Sequence, residues 1–397
     1  MAALPHSDAP QVDGTVDLRR IRLANEARVL RQLADNGGLT RRQLAEATGL
    51  SRTTISAIVR DLAAEGGLVS GGHVVSDAPE RGRPVEIIRL SPHGGLVIGC
   101  EFGRGHVAVA IANYAHEVVA SAQRDLPRSA PLIESPDLVD LRIEAMVELL
   151  RSTAANAGMT FAHARGLGVA ISGLHPHAEN GSPLVESLIE RLVEALDLSG
   201  IESHWDNNLR LAARAEARLH PSDESDNLMY IALSHGVGSG MTVDGSSLAG
   251  AGSAGEFGHV VVRPDGRRCE CGLHGCVERY LSVDAILDDA RSADPSVTDL
   301  GVLAAKRGTP TIARLIAERG RLLGQAVSVV RAVVDPTVVV LGGDLTVIGD
   351  PLIAAAREYL STQHIGTARF RLEPARLARA AAAIGAVYLA LEEQPIR

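Results

Sequence analysis

From Asp17 to Asp35 the apolar residues Ile21, Leu23, Ala24, Ala27, Val29, Leu30 and Leu33 recur at helical spacing, and Gly37-Gly38 ends the run. Thr40 then opens a second helix. Gln43, three residues on, completes a capping box, Leu44, Ala45 and Ala47 face inward, and Gly49 breaks the element. Ser51 caps a third helix over residues 52–62, in which Ile55, Ile58 and Val59 pack inward. A longer helix followed by two short ones across a tight glycine turn is the helix-turn-helix pattern. Residues 68–75 alternate around Gly71-Gly72 as a short hairpin, which reads as a wing. Residues 1–16 are polar and expected to be disordered, residues 17–78 form the winged head, and residues 79–95 are a linker.

Beyond the linker the pattern changes. Residues 96–103 are a strand-like apolar run with residues 106–112 as hairpin partner, and Leu141, Ile143, Met146, Val147, Leu149 and Leu150 mark an amphipathic helix. Residues 166–173 read as a buried strand, followed by helices over 183–196 and 208–220. Residues 228–233 form a strand that runs into the glycine-rich segment 234–240 and a second strand. A long helix over 311–334, a buried strand over 338–343 and an apolar closing helix over 380–391 complete the chain. Hairpins followed by alternating strands and helices, in two similar halves, predict an α/β body over residues 96–397 with a cleft between two lobes.

Composition adds little to this picture, at 46% hydrophobic and 22% charged over 397 residues. No apolar run reaches the ~20 residues of a membrane span, and no basic-then-apolar leader opens the chain. A cytoplasmic protein with no membrane partner is therefore expected. Charge is uneven: residues 1–95 carry 12 arginines against 11 acids, whereas the remainder carries 27 basic and 37 acidic residues. A near-neutral head on an acidic body fits a nucleic-acid module fused to something else. The single lysine, Lys306, against 38 arginines reads as codon bias.

Three of the four cysteines, Cys269, Cys271 and Cys276, fall within eight residues, with His259 upstream. A Cys3His set is a closed tetrahedral site for structural Zn2+, with no position left for a catalytic water. The gap between Cys269 and Cys271 is too tight for an easy disulfide, and Gly272 and Gly275 let the chain swing Cys276 onto the same ion. His274 is the competing nitrogen ligand. The fourth cysteine, Cys100, lies in an apolar run and is expected to be a buried small hydrophobe.

In a helix-turn-helix the first residues of the last helix reach base edges in the major groove, here Arg52, Thr53, Thr54 and Ser56. Arg41 and Arg42 suit backbone phosphates. The run Arg81-Gly82-Arg83-Pro84 behind the wing is slim and doubly cationic, so Arg81 and Arg83 suit an A·T-rich minor groove. The expected partner is double-stranded DNA, a palindromic operator read by a homodimer or homotetramer.

The body resembles the ROK family of sugar kinases and sugar-responsive repressors, on Glu256-x-Gly-His259 and Cys269-x-Cys-Gly-x-x-Gly-Cys276-x-Glu278. The winged head and the Arg-Gly-Arg-Pro run resemble its repressor branch. The resemblance implies an actin/hexokinase-like ATPase fold and a sugar pocket lined by Asn207, Asn208, Glu256, His259 and Glu278, with His259 also on the zinc. It also implies that Asn208 stands where the kinases carry the aspartate that takes the sugar's proton, a role that an amide cannot fill. Asp206 is two residues out of register for that work. Glu101-Phe102-Gly103-Arg104-Gly105 replaces the kinases' first phosphate loop, and Ser234-His235 replaces the Gly-Thr of the second. The loop over residues 174–182 is shorter than the family's. The expectation is a transcriptional regulator, a repressor of carbohydrate metabolism, that binds a small-molecule sugar effector without phosphorylating it. The alternative is an ATP-dependent sugar kinase with an appended DNA-binding head.

Overall fold

Thr40 Oγ1 accepts from Gln43 N at 3.3 Å while Gln43 Oε1 accepts from Thr40 N at 3.0 Å, so the capping box legible in the sequence starts helix α2 (Arg41–Thr48). It follows α1 (Leu18–Asn36) and precedes α3 (Arg52–Ala64), whose cap Ser51 accepts from Thr54 N at 3.1 Å. Leu30 and Leu33 of α1, Leu44 of α2, and Ile55, Ile58 and Leu62 of α3 are buried together as the core of the head. The computed structural model describes residues 18–74, 85–127, 139–173, 183–221, 226–363 and 370–393, so Arg81, Arg83 and the loop over 174–182 lie outside the described residues. The chain divides into two units, one of Met1–Gly94 with Glu392–Arg397 and the other of Gly95–Leu391.

The wing differs from the expected hairpin. Strand β1 (Leu68–Val74) pairs antiparallel with β2 (Val85–Leu90), a partner that lies inside the expected linker. Gly71-Gly72 is no turn; it sits where the register shifts between Ser70 and His73. Burial accompanies this pairing: Leu90, opposite Leu68, and Ile88, opposite Ser70, bring buried apolar side chains to the core of the head.

In the second unit, β3 (Leu96–Phe102), β4 (His106–Asn113), β5 (Val118–Asp125), β6 (Ala164–Ile171) and β7 (Glu202–Asn207) form one sheet in the order β5-β4-β3-β6-β7. The first three pair antiparallel, and β6 and β7 add parallel to β3. A second sheet of β8 (Leu228–Leu233), β9 (Val237–Val243), β10 (Ser246–Ser247), β11 (Val338–Gly342) and β12 (Arg371–Pro374) repeats that arrangement in the order β10-β9-β8-β11-β12. These are the two similar halves expected from the sequence. Helices α4 (Val139–Asn156) and α5 (Pro183–Ala195) cover the first sheet, with Met146, Leu150 and Leu188 packed on Cys100 and Phe102. Cys100 is fully buried, as expected.

Helix α6 (Asn208–Ala217) and the C-terminal helix Ala381–Glu393 share a core with both sheets, through Ala170, Leu211, Tyr230, Val340 and Ala386. The approach is backbone to backbone: a Cβ on Gly168 would stand 1.8 Å from Ala386 O, and one on Gly240 2.1 Å from Leu209 O. Such contacts exclude any side chain and fix the start of α6, where Asn207 and Asn208 stand.

Candidate functional site

The candidate metal-binding loop is built by a narrow turn. Arg268 bridges His274, Cys269 N donates to Leu273 O at 2.8 Å, and Val261 bridges Cys276, which folds the three cysteines back on one another. Gly272 and Gly275 both take positive φ, and a Cβ on Gly275 would meet Arg263 O at 1.5 Å. The ligand atoms of His259, Cys269, Cys271 and Cys276 all lie within 4.8 Å of one another. His259 Nδ1 is 3.6 Å from Cys269 Sγ, and Cys271 Sγ is 3.6 Å from Cys276 Sγ. Metal–ligand bonds of about 2.0–2.3 Å in a tetrahedron require edges of roughly 3.5–3.8 Å, which these two separations match, so the four donors could close on one ion. His274 is exposed and outside the set. Burial pushes the Cys276 thiol up to about 12, whereas the Leu273 N–H lowers that of the exposed Cys271.

The same loop carries the two acids. The second ring nitrogen of His259, Nε2, faces Glu256 Oε2 at 3.7 Å, so an ion on Nδ1 would set the ring orientation that Glu256 meets. Glu278 opens the short helix Glu278–Leu281 directly after Cys276-Val277, and its Oε2 accepts from Val237 N at 2.9 Å. A clamp absent from the sequence reading holds the loop from behind: Arg267 N donates to Tyr280 Oη at 2.9 Å, and Arg267 and Arg319 both reach Asp289. No sequence spacing announces it, because its members come from the loop itself and from three separate helices.

Across the cleft, Asn208 Nδ2 donates to Glu101 Oε1 at 3.1 Å, and Glu101 Oε2 is 3.5 Å from His106 Nε2. Glu101 is 4% exposed. Burial works against protonation of His106, but the neighbouring Glu101 carboxylate outweighs it and the imidazole titrates above its ordinary value. Asn207 Oδ1 is committed to the helix cap, accepting from Leu209 N at 2.9 Å and Arg210 N at 3.3 Å. Asp206 is held by Arg210, whose Nε lies 2.9 Å from its Oδ1. The Glu101–Gly105 turn rests on Arg142, a buried arginine that the sequence reading missed, which donates to Gly103 O at 2.5 Å and Arg104 O at 2.9 Å.

The two sides of the cleft meet at Gly236. A Cβ there would lie 3.1 Å from Arg104 Nη1 and 3.4 Å from Glu278 Oε2. Leu209, next to Asn208, packs over Gly238, while Ser239 N donates to Gly255 O at 2.9 Å beside Glu256. The expected effector residues are thus tied to one neighbourhood through β9. A cavity of about 750 Å³ adjoins it, lined by Arg104, His235, Glu278, Arg279 and Asp284 among others.

In the head, Arg52, Thr53 and Ser56 are exposed on α3, while Thr53 and Thr54 hydroxyls lie 2.7 and 2.8 Å from Ser51 Oγ. Arg41 pairs with Glu86 at 2.6 Å and Arg42 with Glu46 at 2.8 Å. Arg89 on β2 lies across Gly38 and Gly71, whose added Cβ atoms would come within 2.7 Å of it. It is a further exposed cation that the sequence reading passed over, because its strand was taken as linker.

Fold and site together define a two-lobed α/β body with a His/Cys3 cluster that could hold a metal, preceded in the sequence by a winged helix-turn-helix head. Residues 97–393 match the ROK family and residues 23–66 match the winged helix-turn-helix DNA-binding family. The chain belongs to the ROK family. It is 26% identical over 87% of its length to the DNA-binding transcriptional repressor Mlc of Escherichia coli (strain K12), covering 86% of that protein. It is 29% identical over 72% of its length to the N-acetylmannosamine kinase of Citrobacter koseri, covering 96% of that enzyme. The crystal structure of a ROK family transcriptional regulator, a homologue of the E. coli MLC protein, superposes with a TM-score of 0.74 at 24% identity, over 94% of this chain and 97% of that one. At that identity the likeness is one of fold. Among the described residues, no helix is long and apolar enough to cross a membrane.

Proposed function

We propose that this protein is a DNA-binding transcriptional regulator of sugar metabolism, a repressor, whose kinase-like body senses a sugar or sugar derivative without phosphorylating it. The observation that carries this is the pairing of Asn208 with Glu101: the residue expected to accept the sugar's proton is an amide turned as a donor onto a buried acid. Arg210 and the Asn207 N–H occupy Oδ1 of the neighbouring acid, Asp206, which weighs against it as a replacement. Structural zinc on His259, Cys269, Cys271 and Cys276 would hold Glu256 and Glu278 toward the cleft, where carboxylates accept from sugar hydroxyls.

Arg52, Thr53, Thr54 and Ser56 would read bases, with Arg41, Arg42, Arg81 and Arg83 on the backbone and minor groove. A homodimer or homotetramer would set two such heads on a palindrome. Effector binding acts through unequal affinity for the DNA-competent and released states. Gel shifts on operator DNA across a carbohydrate panel test the reading; a complex that no sugar weakens would defeat it. The likeness to N-acetylmannosamine kinase supports a second reading, a sugar kinase with a DNA-binding head. ATP-dependent ADP release with a sugar would favour that one.

A further inference from the structure

We infer that Cys271 and Cys276 form an oxidation-sensitive pair, in which a peroxide converts the two thiols to a disulfide and the zinc site loses two of its four donors; this rests on the zinc reading above. The donors are unequally protected. Cys276 and Cys269 are 0% and 3% exposed, whereas Cys271 is exposed. It lies on a tip where Glu270, Gly272, Leu273 and His274 are exposed as well, and a Cβ built on Gly272 meets nothing within 4 Å. A solvent-borne oxidant therefore reaches Cys271 before either buried thiol. A second sulfur already stands beside it, with Cys276 Sγ 3.6 Å from Cys271 Sγ. Cys269 is the poorer partner: it is one residue removed from Cys271, a gap too tight for an easy disulfide, and its sulfur faces His259 Nδ1 at 3.6 Å.

The chemistry needs only these sulfurs and the oxidant. A cysteine that ligates a metal does so as the thiolate, which is also the nucleophile. Cys271 Sγ attacks one peroxide oxygen, the O–O bond breaks and hydroxide leaves, giving a sulfenic acid on Cys271. Cys276 Sγ then attacks the Cys271 sulfur, the S–O bond breaks and a second hydroxide leaves. Both hydroxides take up protons and become water, so the sulfur pair gives up two electrons and the peroxide accepts them. The sulfurs must close by about 1.5 Å to reach the ~2.05 Å of a disulfide bond. The exposed tip can supply that movement while Cys276 stays in place, buried and held by its bridge to Val261 and by the helix that opens at Glu278. His259 and Cys269 then remain as donors, too few for a closed tetrahedral site.

Hydrogen peroxide added to the zinc-loaded full chain beside a chromogenic zinc chelator, with peptide mapping of the same samples, tests the inference. About one zinc ion per protomer should be released, together with a linked Cys271–Cys276 peptide lighter by two hydrogens. A dithiol reductant with added Zn2+ should restore the starting state, and the fully buried Cys100 should stay unmodified throughout. Cys271→His keeps a donor, in a Cys2His2 set, but removes the exposed thiol, and should release zinc at least about tenfold more slowly. The map is read on the wild type, so the inference stands or falls even where the histidine variant binds no zinc. Zinc retained under peroxide overturns the inference and leaves the zinc reading standing. So does release with Cys271 carried to a sulfinic or sulfonic acid, a disulfide through Cys269, or a zinc-loaded Cys271→His that releases as fast as the wild type. A chain that carries no zinc before peroxide is added removes both.

Discussion

Asn208 and Glu101 are 107 residues apart in the chain, yet the amide of one donates to the carboxylate of the other at 3.1 Å. The amide is therefore part of the packing of the cleft floor as well as a change in its chemistry. Asn208→Asp would set a second carboxylate against a buried one. Two such groups at hydrogen-bond distance cannot both ionise freely, so one is held protonated and its pKa rises. A carboxyl group with a raised folded-state pKa costs stability as pH climbs above the ordinary carboxylate range. The variant should come closest to the wild type near pH 3.5, below the ordinary carboxylate pKa, and lose about 1–3 kcal/mol at pH 8. Urea unfolding at the two pH values measures this, and an equal loss at both would contradict the contact. Restoring the acid alone is also expected to leave ATP turnover absent.

His106 sits on the other oxygen of Glu101 and titrates above its ordinary value, because the carboxylate outweighs the effect of burial. Its contribution to stability is fully present below the unfolded-state pKa of about 6.5 and fades as pH rises through the folded-state value. His106→Gln should therefore cost more stability at pH 6 than at pH 8.5. Parallel pH profiles for variant and wild type would rule this out.

What the sequence revealed and what it hid divide along chain separation. The Thr40–Gln43 box, the Ser51 cap and the Cys269–Cys276 cluster are local patterns, each closed within eight residues, and the structure places them as read. The true partner of β1 lies across an intervening segment, and two short runs of alternation do not say which pairs with which. Strands β7 and β12 went unread for another reason: four to six residues at the edge of a parallel sheet carry little periodic signal. Arg142, Tyr280 and Arg319 act through contacts with distant segments, and an arginine inside a helix looks like a solvated one until its burial is known.

Arg142 carries the turn below Arg104, and its removal should be felt as a fold defect. Arg142→Met keeps much of the bulk but leaves Gly103 O and Arg104 O without this donor. Leaving such acceptors unpaired costs about 2–4 kcal/mol. The denaturation midpoint should fall accordingly. A change below about 0.5 kcal/mol would mean that water replaces the guanidinium without penalty.

Zinc content is a direct check on the loop. The purified chain should carry about one zinc ion per protomer, and Cys276→Ser, which removes a fully buried donor, should lose most of it. Because Glu256 and Glu278 flank the ligands, the variant should also lose any sugar effect on DNA binding. Sugar response preserved in a zinc-free protein would separate the metal from the pocket.

The head offers a test of which cation does what. Arg52 is exposed at the start of α3 with no carboxylate partner among the described residues, whereas Arg42 is exposed but paired with Glu46. If Arg52 reads a base, Arg52→Ala should cost about 1–3 kcal/mol on operator DNA and much less on unrelated duplex. If Arg42 contacts a phosphate, it must first leave Glu46, an exposed pair worth little. Arg42→Ala should then weaken both duplexes alike and lower the slope of log affinity against log salt by about one. Fluorescence anisotropy at 50 and 200 mM salt on the two duplexes separates these outcomes. Equal loss on both duplexes for Arg52→Ala would move that residue from the bases to the backbone.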